Sequence, residues 1–210
     1  MTRDRFEVEV LGDLTEEQAY NFVFGDGDGV AGGWPGIIND VPPGTKAAPA
    51  GAKEKWPAIY ERCGGNIMLL KGCVLEAKLW GNWDVALDEV VANLRSDIVL
   101  GFKPRVYIVK GGEAPLWTAQ QWRMVLERIT TAPHHAVPGS EIEKELAGKG
   151  SIGQGANILL SMEKYNLLAL RPSTLTRDLP VKVYGDYVED VVTLPLPAHV
   201  CAAKAMLEDF

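Results

Sequence analysis

Ile59-Tyr60-Glu61-Arg62-Cys63-Gly64-Gly65-Asn66-Ile67-Met68-Leu69-Leu70 reads as the end of one helix, a two-glycine turn, an asparagine cap and the start of the next helix. Glycine takes the backbone conformations that stop a helix. Asparagine accepts hydrogen bonds from the first orphaned N–H groups of the helix that follows. Working outward, helices are predicted over about 53–63 and 67–79. A further one starts near Trp83, with Val85, Leu87, Val90, Val91 and Leu94 at helical spacing. Upstream, Phe6, Val8 and Val10 alternate with Glu7 and Glu9, a strand period. Thr15-Glu16-Glu17-Gln18 then fits a capping box opening a helix to about Phe24, with Ala19, Phe22 and Val23 on its buried side. The stretch 25–51 is rich in Gly, Pro and Ala and is predicted to be a long loop.

Downstream, 103–116 holds Pro104, Gly111, Gly112 and Pro115 and is predicted to be a linker, with a short strand over Val106 to Val109. Three further capping boxes follow. Thr118-Ala119-Gln120-Gln121 opens a helix to about Thr131. Ser140-Glu141-Ile142-Glu143 opens one to Ala147, and Ser151-Ile152-Gly153-Gln154 one to Asn166. Strands are predicted over 167–170 and 191–194, joined by a loop with the turn signal Tyr184-Gly185-Asp186. A last helix spans about 198–208. Three helices followed by a two-stranded hairpin is the winged-helix order. The expected fold is mainly α with small β elements: a helical unit over 1–102, a linker over 103–116 and a winged helix over 117–210.

Composition narrows the function. A net charge of −7 argues against a general nucleic-acid or membrane-surface binder, since both partners are anionic. Cys63, Cys73 and Cys201 show neither CxxC spacing nor a disulfide framework, which points to a reducing compartment, cytoplasm or organelle. No apolar run approaches the ~20 residues that span a bilayer. The acidic N-terminus is unlike a signal or transit peptide.

Glu7-Val8-Glu9-Val10-Leu11-Gly12-Asp13-Leu14-Thr15-Glu16-Glu17-Gln18-Ala19, followed later by Cys63-Gly64-Gly65-Asn66, resembles the lid region of archaeal-type P-loop ATPases of the STAND class. In that family a Gly-Gly-Asn-Pro turn approaches the bound nucleotide, and a winged helix usually follows. The block from Trp117 to Phe210 resembles that winged helix in a form found in ATPase-like proteins of plants and algae. It includes Trp122, Glu127-Arg128-Ile129-Thr130-Thr131-Ala132-Pro133-His134-His135 and Tyr165-Asn166-Leu167-Leu168-Ala169-Leu170-Arg171-Pro172. The chain departs from the family at two points. Ile67 stands where the family has proline, and no phosphate-binding loop or metal-binding acid precedes the lid. Without the parts that hold triphosphate and Mg²⁺, ATP hydrolysis is not expected.

Other motifs carry little chemistry. Val41-Pro42-Pro43-Gly44-Thr45-Lys46-Ala47 fails the P-loop pattern, because no Gly directly precedes Lys46 and Ala47 lacks the hydroxyl that binds Mg²⁺. Gly25-Asp26-Gly27-Asp28-Gly29 fails the EF-hand pattern, with Val30 and Ile37 at ligand positions. His134-His135 lacks a matched Cys or acid at zinc spacing and is read as structural. Cys63 and Cys73 are read as packing residues, and no Gly-x-Ser-x-Gly elbow is present.

DNA reading is tested at the would-be recognition helix, Gly153 to Tyr165. Its first turns hold no Arg or Lys, and from Trp117 onward nine basic side chains face eleven acidic ones. The leading expectation is a non-catalytic protein-interaction or scaffold subunit, with no cofactor or metal, in a larger assembly. Trp34, Trp80, Trp83, Trp117 and Trp122 are its contact candidates. The alternative is a regulatory part whose nucleotide core another chain supplies, with Gly64, Gly65 and Asn66 completing the site in trans. A winged-helix DNA-binding protein is the third.

Overall fold

The computed structural model describes residues 14–25, 33–40, 46–107, 113–172 and 190–208. The strand expected at 6–11, the Gly-Asp repeat after Gly25, most of the Val41–Ala47 motif and the 184–186 turn lie outside them.

Eight α-helices and a small sheet build the described chain. Helices α1 (Glu16–Phe24), α2 (Trp56–Cys63), α3 (Ile67–Trp80) and α4 (Trp83–Gly101) come first. Then follow α5 (Ala119–Thr131), β1 (Ala136–Pro138), α6 (Gly139–Ala147), α7 (Ile152–Lys164), β2 (Ala169–Pro172), β3 (Asp190–Thr193) and α8 (Pro197–Glu208). The sheet is antiparallel with order β1-β3-β2, so the last strand lies between the other two.

Caps explain most helix starts. Thr15 and Thr118 both form complete capping boxes, with Gln18 and Gln121 reaching back. Asn66 accepts from the N–H groups of Met68 and Leu69, and Asn82 from those of Asp84 and Val85. The two serine boxes are corrected by the structure. Ser140 sits inside α6, whose first residue is Gly139 directly after β1. A side chain at Gly139 would press on the Asp190 carbonyl of β3, so sheet packing sets where that helix begins. Ser151 does occupy the cap of α7, but its hydroxyl makes no capping bond. Val106 is a second correction: it lies in a 3₁₀ turn, Pro104–Tyr107, rather than a strand. Proline fixes φ there in the helical region, which favours a turn over an extended chain.

Two buried clusters form the interior. One gathers α1 to α3 and the first half of α4 around Trp56, Ile59, Leu70 and Trp83. The other gathers α5 to α7, the sheet and most of α8 around Trp122, Ile129, Ile142 and Met162. Helices α4 and α8 pack on each other and enter both clusters: Leu87 and Ala198 belong to the first, Ile98 and Ala203 to the second.

The C-terminus of α4 shows how the two are joined. The last four carbonyls of a helix lack intrahelical partners. Those of Val99 and Leu100 accept from the N–H groups of Phe102 and Lys103. The Ile98 carbonyl accepts from the Trp122 indole at 3.0 Å, and the Gly101 carbonyl from the Trp117 indole at 2.9 Å. Both tryptophans belong to the second half, so its entry segment caps the last helix of the first. Glu113 continues the docking, pairing with Lys164 at 2.6 Å, while the Leu116 N–H donates to Ser161 Oγ.

Candidate functional site

The Gly64-Gly65 turn ends α2 and forms one wall of a cleft of about 280 Å³. Gly64 has a φ of +55°, and a side chain there would strike Pro197 at the head of α8. At Gly65 a Cβ would fall 1.9 Å from the Leu14 carbonyl, and the Leu14 N–H donates to the Gly65 carbonyl at 3.0 Å. Both glycines are therefore required by close packing. Asn66, third member of the motif, does not line the cleft: its side chain is occupied in capping α3.

The same cleft is lined by His134 and His135, by Cys201 and Lys204 from α8, and by Tyr60 and Glu61 of α2. Both histidines adopt positive φ, 52° and 53°. Left-handed backbone at two successive side-chain-bearing residues is uncommon and costly. It turns the chain sharply from α5 into β1 and sets the two rings at the cleft.

His135 Nδ1 lies 3.3 Å from the Ile129 carbonyl, which can only accept, so Nδ1 carries the proton. Its Nε2 then accepts from the Lys204 ammonium at 3.2 Å. Burial and the Lys204 charge both hold His135 below the usual imidazole range. Burial, with Glu61 adding to it, pushes the Cys201 thiol up and keeps it protonated. The cleft thus offers a neutral imidazole, a cation and an unreactive thiol. Lys204 can hold a small anionic or carbonyl-bearing group there, and the Glu61 carboxylate also lines the cleft.

Other sequence candidates lie elsewhere. Trp83, Trp117 and Trp122 are interior, each with its indole N–H on a backbone carbonyl: Pro49, Gly101 and Ile98 respectively. Trp34 and Trp80 are exposed. Trp34 stacks on Phe22 and donates to its carbonyl, and Trp80 donates to Glu76 Oε2 at 2.9 Å. Cys63 and Cys73 are buried together; their shared hydrogen bond and burial push the Cys63 thiol up, away from thiolate chemistry. Among the described residues no three His, Cys, Asp or Glu side chains converge as a metal site would require. No described helix is long and apolar enough to cross a membrane.

No family model, curated protein or solved structure matches the chain. The site is therefore read from its own geometry. Sequence reasoning singled out the glycine turn and the histidine pair separately and did not bring them together. It also missed Lys204 and His199, which carry no motif around them.

His199 is buried, whereas His135 is only partly so. The His199 Nε2 faces Asp97 at 3.4 Å, and Nδ1 is buried without a hydrogen-bond partner. Burial lowers its proton affinity more than Asp97 raises it. The long contact to a half-exposed carboxylate is consistent with burial winning. Both folded-state pKa values lie below the unfolded value of 6.5, so the unfolded chain binds protons first as pH falls. Stability is complete above the unfolded value and is lost as pH drops through it towards the folded values. Urea midpoints measured at about pH 7.5 and about pH 5.5 are expected to fall with acid, and the double variant His135→Gln/His199→Gln to show a smaller fall.

Proposed function

We propose that this chain is a non-catalytic protein-interaction subunit whose second half is a winged helix. The order α5-β1-α6-α7-β2-β3 with β3 central supports this reading, in which α7 would take the recognition position. One observation carries the interaction reading: what α7 presents to solvent. Ser151, Gly153, Gln154, Asn157 and Leu160 are exposed, and no cation stands among them until Lys164 at the end of the helix. A surface that neutralises phosphates needs Lys or Arg at those places. Neutral amides beside an exposed leucine suit a protein surface instead, where direct hydrogen bonds frame an apolar contact. The resemblance to a STAND-class lid followed by a winged helix, with no phosphate-binding loop, supports descent from an ATPase.

Affinity capture from the native extract, followed by sizing, tests the reading. The wild-type chain is expected to retain a discrete partner that the double variant Asn157→Arg/Leu160→Asp loses while staying folded. A monomer with no retained partner overturns it. So does a salt-dependent mobility shift with duplex DNA, the signature of the transcription-factor alternative.

A second reading is favoured by the cleft itself. Gly64 and Gly65 line the same cleft as Lys204, which would suit a phosphate if another chain brought a nucleotide core. Calorimetric titration with ADP, in the presence of that core, is expected to lose its heat on Lys204→Ala. No heat with wild type removes the reading.

A further inference from the structure

Another cleft, of about 550 Å³, lies where α4 ends and α5 begins. Its walls are mostly apolar: Phe102 and Pro104 follow α4, and Pro115 and Trp117 lead into α5. The Trp117 ring is held in place, because its indole N–H donates to the Gly101 carbonyl. Two cations, Lys103 and Arg105, also line the cleft, and no described acid does. Both are exposed, and neither forms an ion pair with a described residue. Glu113, the acid next to Ala114 of the lining, is taken up by Lys164.

Two unpaired cations on one cleft run against a chain whose net charge is −7. Gathering like charges beside apolar surface brings the fold no gain. The helix ends do not offset them. The carbonyls of Ile98, Val99, Leu100 and Gly101 at the end of α4 each accept a hydrogen bond. Phe102 at the end of α4 and Thr118 at the start of α5 both line the cleft, so a negative and a positive helix end adjoin it and their dipoles oppose. The Lys103 and Arg105 side chains therefore set the sign of the potential there. The volume falls within the roughly 300–1,000 Å³ of small-molecule sites, which are mostly apolar with a few placed polar groups.

We infer that this cleft binds a small apolar carboxylate, with an aromatic ring against Phe102, Pro104, Pro115 and Trp117 and the carboxylate on Lys103 and Arg105. Charge complementarity selects an anion. Arginine offers a carboxylate two parallel N–H donors, and lysine adds a mobile point charge. The walls select an anion with an apolar body. An inorganic ion would leave the aromatic and proline faces in water and gain nothing from them. A flat ring suits those faces, since aromatic pairs gain beyond their buried area. No residue of α7 lines the cleft, so this inference and the protein-partner reading stand or fall separately.

Isothermal titration of the full chain with phenylbutanoate tests this. A dissociation constant of about 0.1 mM is expected, with phenylbutanol about tenfold weaker and phenylbutylamine weaker again. Raising NaCl from about 20 to about 500 mM should weaken the acid several-fold and leave the alcohol unchanged. Lys103→Gln/Arg105→Gln should bring the acid down to the affinity of the alcohol without moving the alcohol, which a purely apolar contact does not predict. Ala119→Trp puts a large side chain on the cleft wall and should abolish binding of both. Circular dichroism verifies that each variant keeps its helices. In a two-dimensional amide spectrum the Trp117 indole resonance should move with added acid and that of Trp80, on α3, should stay, which places the site even if Ala119→Trp does not fold. A wild type with no saturable heat up to about 5 mM acid overturns the inference. So does an alcohol that binds as well as the acid, displacement of the acid by equimolar inorganic phosphate, full binding in the double glutamine variant, or an unmoved Trp117 resonance.

Discussion

Replacing Trp122 with alanine is expected to lower the unfolding free energy by about 3–5 kcal/mol, the range for emptying a large aromatic site in a packed core. Trp122 is fully buried in the second cluster beside Val125, Leu126 and Ile129. Its ring fits against Gly101, where even a Cβ would fall 2.3 Å from Nε1. The surroundings cannot close the vacancy from that side, because Gly101 has no side chain to send. The indole N–H also satisfies the Ile98 carbonyl in the last turn of α4. Trp122→Phe separates the two contributions. It keeps most of the apolar ring and removes the donor, leaving a buried carbonyl unpaired at a cost of about 1–3 kcal/mol. Urea unfolding followed by far-ultraviolet circular dichroism measures both. A loss below about 1 kcal/mol for Trp122→Ala would show that the ring does not pack as described. Because α4 enters both clusters, the variant is also expected to unfold in one transition rather than two.

What could be read from the sequence was local. Thr15, Asn66 and Thr118 cap the helices they precede because their partners are N–H groups two or three residues away. The Asn66 cap located the start of α3 and helical spacing that of α4, both from neighbouring residues alone. At the first serine box a distant contact bears on the helix start. Asp190, some fifty positions on, packs so close to Gly139, the first residue of α6, that a side chain there would press on its carbonyl. The candidate cleft is non-local throughout. It joins a turn at 64–65, a histidine pair at 134–135 and the second turn of α8. No spacing rule links these three, and the left-handed backbone at His134 and His135 leaves no trace in residue type, since histidine tolerates that region without requiring it. The capping of α4 by Trp117 and Trp122 was illegible likewise: an indole found in sequence shows that a donor exists, and only packing shows which carbonyl receives it.

Helix α7 offers the sharpest single comparison, because two of its glycines lie two residues apart and face opposite ways. At Gly155 an added Cβ would stand 1.9 Å from the Glu143 carbonyl and 3.0 Å from the Ala147 nitrogen, both backbone atoms of α6. The two helices approach this closely only because no side chain separates them. Gly155→Val must drive α6 away, and α6 is held by Ile142 and Leu146 in the second cluster. Overpacking of this kind costs about 1–3 kcal/mol, occasionally more, and backbone obstructs where a side-chain tip would yield. We expect a loss above about 3 kcal/mol for Gly155→Val, the largest of any single substitution on α7. Gly153 is exposed, and a Cβ there meets nothing within 4 Å. Gly153→Ala removes the conformational freedom of glycine in the unfolded chain and should stabilise by about 0.5 kcal/mol. The two substitutions share a helix and a starting residue, so propensity alone predicts that both act weakly. Opposite signs in the urea midpoints would assign the difference to contact with α6. A stabilised Gly155→Val would mean that α6 and α7 do not meet at Gly155, and would weaken the proposal that α7 takes a recognition position.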